Sequence, residues 1–244
     1  MSIRTVGVIQ ARMGSSRLPG KVLRPLTGRS VLGWVVRAAR ESGALDDLVV
    51  ATTREPADDA IVTECQRLGV AWHRGPVDDV LSRFVGALRD HPADAVARFT
   101  ADCPLLDPAL ISAAVGTFRA VPALDYLGTM LPRTLPRGMD VEIIGTAALH
   151  RADALARDHH RAHVTSYVYT HPAAFNVMGL TFPPGAERLR VTLDTAADWD
   201  VITAIVTALG DVPASLRTII EWLEGHPEVG VLNEDVRQKV LEEA

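Results

Sequence analysis

A short apolar run, Val6 to Ile9, opens into the segment QARMGSSRLPGKV, where Gly14, Gly20, Ser15, Ser16 and Pro19 are interleaved with three long cations, Arg12, Arg17 and Lys21. Close approach of backbone amides at Gly14 and Ser15, two hydroxyls and three cations are the groups that would cradle and neutralise a triphosphate. Pro19 stiffens the segment and lowers the ordering cost of binding. The spacing is not that of a P-loop, because five residues separate Gly14 from Gly20 and Val22 stands where a hydroxyl ligand for magnesium belongs; nor is there a GxGxxG loop. From these residues alone, a phosphate site and a solvated basic turn both stay open.

Other residues have types and spacing suited to chemistry. Asp102 and Asp194 each follow a strand-like run, Ala95 to Phe99 and Leu189 to Leu193. Two such carboxylates converging on one edge would suffice for magnesium, which takes few protein oxygens beside substrate phosphates and water. Each could instead cap a following helix. Asp140 and Glu142 flank Val141 on one face of a predicted strand, as ligands for acceptor hydroxyls, a general base, or a solvent-facing pair. His159 and His163 lie one helical turn apart, a zinc-ligand spacing, but the sequence fixes no third partner nearby.

The elements that must position these residues alternate. Strands are predicted at 6–9, 48–51, 70–72 and 95–99, with helices at about 31–42, 58–68, 77–89 and 108–119 between and after them. Ser30 and Asp58 are candidate caps, and Gly43 a helix end. This rhythm predicts an α/β fold with a mainly parallel sheet covered by helices on both faces. The loop at 10–21 then lies at the carboxyl ends of the strands, where open α/β sheets bind ligands. The rhythm stops between Val121 and Asp140. Beyond it come strands at 141–144, 175–178 and near 189–193, helices at about 146–156 and 160–170, and two or three closing helices.

Composition narrows the class. A 244-residue chain that is 48% hydrophobic can bury a large core. No apolar run approaches the roughly 18 residues needed to span a bilayer, and Val6 to Ile9 is too short for a signal-peptide core, so a cytoplasmic location without membrane contact is expected. Cys65 and Cys103 are far apart with no paired-ligand spacing, which predicts buried free thiols. A net charge of −5 argues against a nucleic-acid partner, yet residues 1 to 40 hold eight basic residues and no acidic one. Arg37 and Arg40 fit the last turn of a helix, where cations interact favourably with the macrodipole; the other six point to a local anion site.

The segment QARMGSSRLPGKVL resembles the signature of the CMP-sugar synthetases, and of their spore-coat polysaccharide biosynthesis protein F branch in particular. VVATTREPADDAI (49 to 61), GPVDDVLSRF (75 to 84), ARFTADCPLLDP (97 to 108), PRGMDVEII (136 to 144), RAHVTSYV (161 to 168) and LRVTLDTAADW (189 to 199) fall in the family's order. The resemblance implies a nucleotidyltransferase of the GT-A-like, Rossmann-like fold over residues 1–244. It would use CTP and magnesium to place CMP on a sugar, sugar acid, phosphate or phosphonate acceptor, with pyrophosphate released. It implies Asp102 and Asp194 as metal ligands and Arg12 and Lys21 as catalytic charges. Nucleotide contacts would come from Gln10, Ala11, Gly14, Ser15, Ser16, Arg17, Thr52, Thr53, Arg74 and Ser82, although DDVLSR could equally be a helix start capped by Asp78 or Asp79. Acceptor contacts fall to Arg98, Asp140, Glu142, Arg161, His163 and Thr165, with Arg83 and Arg98 reaching ligand or bracing the sheet. A homodimer paired through about 130–180 is implied as well.

One departure bears on the acceptor. The family reads Arg-Glu-His-Val-Thr where this chain has Arg161-Ala162-His163-Val164-Thr165. Loss of that carboxylate suggests an acceptor that is smaller or more negatively charged. Two other classes stay open: a glycosyltransferase, whose usual Asp-x-Asp pair is absent because Cys103-Pro104 follows Asp102, and a silent module that binds CTP without releasing pyrophosphate.

Overall fold

The computed structural model describes residues 3–183 and 185–238. Strand β1 (Thr5–Gln10) sits at the centre and is buried on both faces, Val6 and Val8 toward one helical layer and Ile9 toward the other. A small hairpin follows the loop, β2 (Pro25–Leu26) and β3 (Arg29–Ser30), turned by Thr27 and Gly28 at φ 45° and 80°. It is too short to show any periodicity. Helix α1 (Val31–Glu41) begins where the Ser30 hydroxyl accepts the Gly33 amide, and Gly43 ends it at φ 61°. Then come β4 (Asp47–Thr53), α2 (Asp59–Leu68), β5 (Ala71–Gly75), α3 (Val80–Asp90), β6 (Ala95–Thr100) and α4 (Pro108–Ala120).

The second half contains β7 (Tyr126–Gly128), β8 (Glu142–Gly145), α5 (Thr146–Leu155), α6 (His159–Ala162), α7 (Ser166–Thr170), β9 (Val177–Gly179), α8 (Ala196–Leu209) and α9 (Leu216–Gly225). Among the described residues the main sheet runs β5-β4-β1-β6-β8-β7-β9. Its first four strands are parallel; β8 is antiparallel to both neighbours, and β9 is parallel to β7. Helices α1, α2, α4, α8 and α9 bury their apolar stripes on one face, and α3, α5 and α7 on the other. This is the α/β architecture, a mainly parallel sheet covered by helices on both faces, that the βαβ rhythm predicts. Among the described residues, no helix is long and apolar enough to cross a membrane. Cys65 and Cys103 are buried free thiols; burial pushes the Cys65 thiol up to about 12 and raises that of Cys103, so neither is a thiolate at neutral pH.

Three expectations change. The stretch from 121 to 140 is not free of regular structure, since β7 falls inside it as a fully buried strand. The helix expected at 160–170 is broken into α6 and α7 around His163 to Thr165, and the break lets the Thr165 hydroxyl reach Glu142. The strand expected at 189–193 is an extended segment bonded to loops rather than to a strand. The Arg137 amide donates to Leu189 O at 2.9 Å, Val191 N to Arg137 O at 2.7 Å, and Leu193 N to Asp102 O at 2.8 Å. Gly138, at φ 107°, makes this possible, because a Cβ there would lie 2.6 Å from Thr192 N.

That extended segment is anchored by α8. Thr195 and Asp198 form a reciprocal capping box. The buried Asp198 carboxylate also accepts Asp194 N at 2.9 Å and Arg190 Nε at 2.7 Å. Burial alone would raise the Asp198 pKa, but hydrogen bonds and charge from Arg190 outweigh it and hold it below the ordinary 3.8. Asp198→Asn should therefore cost about 3 kcal/mol at pH 7, read by urea unfolding. A carboxylate with a depressed folded pKa stabilises above the unfolded value near about 4 and loses that contribution as pH falls through the folded one. The gap between wild type and Asp198→Asn should thus narrow when both are unfolded near pH 3, and a gap that stays constant would contradict this account.

Candidate active site

The loop after β1 is held in place before it can bind anything. Ala11 extends the ladder by donating to Ala51 O at 3.1 Å, and Gly20 N returns to Met13 O at 3.1 Å, closing the segment between them. Gly20, at φ 67°, then drops the chain into a single 3-10 turn, Lys21–Leu23, which carries Lys21 inward. The loop's base rests on Asp58, whose buried carboxylate accepts Met13 N at 2.7 Å and Thr53 N at 3.1 Å together with both the Thr52 and Thr53 hydroxyls.

Lys21 meets both candidate metal aspartates. Its ammonium donates to Asp102 Oδ2 at 2.7 Å, Asp194 Oδ1 at 2.8 Å and Leu193 O at 2.6 Å. Asp102 and Asp194 arrive from separate parts of the chain, the turn after β6 and the extended segment before α8, and the Leu193 amide bond to Asp102 O stitches those parts together. The second Asp194 oxygen takes Arg17 at 3.0 Å and Arg190 at 2.8 Å. Burial opposes the charge on Lys21, yet the pull of Asp102 and Asp194 prevails and raises its pKa above that of a free lysine. Asp194 shows the converse: burial raises its pKa, and Lys21, Arg17 and Arg190 bring it below the ordinary range.

This corner forms one wall of a cleft of about 1050 Å³ at the carboxyl ends of β1 and β6. Gln10, Arg12, Arg17, Arg98, Asp102, Asp140, Glu142, His163, Thr165 and Asp194, all expected at the site, line it. Elsewhere on the lining, Glu142 is held by Arg98 at 2.5 Å and by the Thr165 hydroxyl, and Asp140 is held bidentately by Arg133 at 2.6 and 3.1 Å. Arg98 also donates to Gln10 Oε1 at 3.3 Å, tying β6 to the end of β1. The wall also includes Ala162 and Arg137. Among the described residues, Arg12 and Arg137 are the lining arginines whose guanidinium groups make no hydrogen bond or ion pair. Burial, then the Arg133 charge, lowers the Arg137 pKa.

A family model described as Cytidylyltransferase matches residues 6–197. The chain belongs to the cytidylyltransferase family. It is 33% identical over 237 residues to the spore coat polysaccharide biosynthesis protein SpsF of Bacillus subtilis, covering 93% of this chain and 97% of that one. It is 35% identical over 119 residues to a 3-deoxy-manno-octulosonate cytidylyltransferase of Acidobacterium capsulatum, about half of each chain (48% and 47%). A cytidylyltransferase structure from Leptospira borgpetersenii superposes with TM-score 0.90 at 27% identity, over 98% of this chain and 100% of that one. These likenesses bear out the resemblance to the CMP-sugar synthetases.

Within this cytidylyltransferase fold, other expected residues lie off the cleft wall. Thr52 and Thr53 are buried on Asp58. Arg74 clamps the start of α2, donating to Asp59 at 2.6 Å, Thr53 O at 2.7 Å and Glu55 O at 2.9 Å. Ser82 belongs to the first turn of α3, where its amide is capped by Asp79 at 2.9 Å, so DDVLSR is a helix start as one reading of it held. Arg161 turns from the cleft to Asp79 at 2.6 Å and Asp153 at 2.9 Å. Ser15 closes a local turn on Leu18 N at 3.3 Å, and around Gly14 a Cβ would meet nothing within 4 Å. Arg83 is fully buried against Gly75 and braces the sheet side of α3.

Asp58 and Arg137 were not legible as functional residues. Asp58 reads as a helix cap, yet its side chain caps nothing and serves as a clasp between the loop and β4. Asp58→Ala should strip an acceptor from two amides and two hydroxyls and cost about 2 to 4 kcal/mol in urea unfolding. Asp59→Ala, which removes an exposed carboxylate, should cost under about 1 kcal/mol. Equal losses in the two variants would remove the clasp from the account.

Proposed function

We propose that this protein transfers CMP from CTP to a small anionic acceptor with release of pyrophosphate, using magnesium held by Asp102 and Asp194. The observation that carries this reading is the convergence of those two carboxylates on one cation, Lys21 Nζ, at the carboxyl edge of a cytidylyltransferase sheet. The residues fit a divalent ion, because their oxygens already surround a positively charged atom. When bound, magnesium would neutralise charge on the triphosphate and on the departing pyrophosphate.

The rest of the work falls to the chain. Arg12, Arg17 and Lys21 take the phosphate oxygens, while the exposed loop backbone at Gly14 and Ser16 and the hydroxyls of Ser15 and Ser16 cover them. Gln10, which lines the cleft, would lie beside the nucleotide. An acceptor oxygen bonds to the α-phosphorus as the bridge between the α- and β-phosphates breaks, and the bonding electrons leave with pyrophosphate. Positioning and charge neutralisation supply most of the rate.

Acceptor chemistry follows from which charges are already balanced. Asp140 and Glu142, expected as base or hydroxyl ligands, are engaged by Arg133 and Arg98. Arg137 makes no such ion pair among the described residues, the pull of Asp140 and Asp194 being outweighed by burial and the Arg133 charge, and Ala162 supplies no carboxylate to the same cleft. Such a surface favours an acceptor that brings its own negative charge: a sugar acid, phosphate or phosphonate. An attacking oxygen ionised near neutral pH would need no general base. His163 and Thr165 complete this half of the cleft, with the 130–180 region forming both the acceptor wall and the contact of a homodimer.

The test is pyrophosphate release with magnesium from each of the four nucleoside triphosphates, against panels of neutral sugars, sugar acids, sugar phosphates and small phosphonates. Release with CTP and an anionic class is expected; release with neutral sugars alone would overturn the acceptor assignment. Lys21→Ala and Asp102→Asn should each lower kcat by about 100-fold or more. Arg137→Ala should raise the acceptor KM about tenfold and leave that for CTP within about twofold. Arg40→Ala, which removes donors only to Leu68 O and Gly69 O, should leave turnover unchanged.

A further inference from the structure

The two aspartates assigned to the metal are not open carboxylates. An ammonium has three protons, and the contacts of Lys21 with Asp102 Oδ2 at 2.7 Å, Asp194 Oδ1 at 2.8 Å and Leu193 O at 2.6 Å use all of them. The Lys21 side chain is 10% exposed, so the head group is fixed inside the wall rather than sampling surface rotamers. All three acceptors are oxygens, the donor type that magnesium selects. A nitrogen that already fills the convergence point of both carboxylates excludes a metal ion from it.

The charge balance is equally closed. Lys21, Arg17 and Arg190 face Asp102, Asp194 and Asp198, and these six side chains are linked by ion pairs into one group with no net charge. A divalent cation entering by itself would leave that partly buried group with two excess positive charges. It would also expel the Lys21 ammonium from its oxygens with nothing in exchange, a costly state for a charge on a largely buried side chain. A triphosphate removes both obstacles, since its oxygens give the ammonium new partners and its negative charge offsets the ion.

We infer that Lys21 is the resident cation of this corner, and that a divalent ion gains the aspartates only when a nucleotide draws the ammonium away, so that metal and triphosphate load together. This rests on the reading of Asp102 and Asp194 as the metal site. Lys21 then has two successive sets of partners, the carboxylates in the nucleotide-free protein and phosphate oxygens in the loaded one. The coupling is reciprocal: whatever strengthens one ligand's hold strengthens the other's.

The experiment measures Mn2+ binding to the full chain without nucleotide, by the loss of the free-ion electron paramagnetic resonance signal. Wild type should bind weakly. Lys21→Met and Lys21→Gln, two variants so that a folding failure in one does not end the test, should each bind Mn2+ about tenfold more tightly or better. Adding Asp102→Asn to Lys21→Met should abolish the gain. Arg17→Met removes the same unit charge beside Asp194, but from outside the convergence point, and should change binding by less than about threefold. Wild type binding as tightly as the Lys21 variants, with Asp102→Asn weakening it, would overturn the role given to Lys21 and leave the metal site standing. Equal gains from Arg17→Met would reduce the effect to general charge and overturn it too. Mn2+ bound by no variant without nucleotide would overturn the role given to Lys21, and Mn2+ still unbound when CTP is added would overturn the metal reading as well.

Discussion

Two aspartates brought to one point repel each other unless a cation stands between them, and in this protein that cation is Lys21. The requirement explains much of the surrounding structure. Gly20 takes a left-handed conformation so that the chain turns Lys21 inward directly after an exposed loop. The turn after β6 and the segment before α8 are joined by the Leu193 to Asp102 hydrogen bond, which fixes the separation of the carboxylates. Asp198, Arg190 and Thr195 lock that segment to the first turn of α8. The chemistry of the corner and the stability of the α8 end are therefore parts of one network.

The sheet supplies the frame. With β1 central and the order β5-β4-β1-β6 parallel, the carboxyl ends of β1 and β6 open side by side, and Gln10 and Thr100 line the floor of the cleft there. The antiparallel β8 then carries Glu142 across to Arg98 on β6, which is paired with it in register. One sheet thus presents two halves of the cleft: one built from loops after parallel strands, proposed for the nucleotide, and one built from β8 and the broken helix at α6 and α7, proposed for the acceptor.

Much of this was legible in the sequence where a local rule and a tertiary requirement coincide. The βαβ units were, because their strands are buried on both faces and their helices carry apolar stripes; the caps at Ser30 and Gly43 also behave as their residue types suggest. Arg12, Lys21, Asp102 and Asp194 stood out because cations, glycines and acids fall just after predicted strands. What stayed hidden depends on partners distant in the chain. Asp58 looks like a cap at the start of α2 and proves to be a clasp for residue 13. The run at 189–193 has strand composition, yet its hydrogen bonds go to loops at 102 and 137. Thr52 and Thr53 follow a strand as ligand-binding residues do, but Asp58 consumes their hydroxyls. Arg137 acquires meaning only when its neighbours Arg133 and Arg98 are seen to be paired while it is not.

The most direct measurement is a crystal structure with CTP and Mn2+, locating the ion by its anomalous scattering. The account predicts a peak between the carboxylates of Asp102 and Asp194, bridging to the triphosphate, with the Lys21 ammonium moved from both aspartates to phosphate oxygens. A peak elsewhere, or CTP bound in the cleft while Lys21 keeps both aspartates, would contradict it.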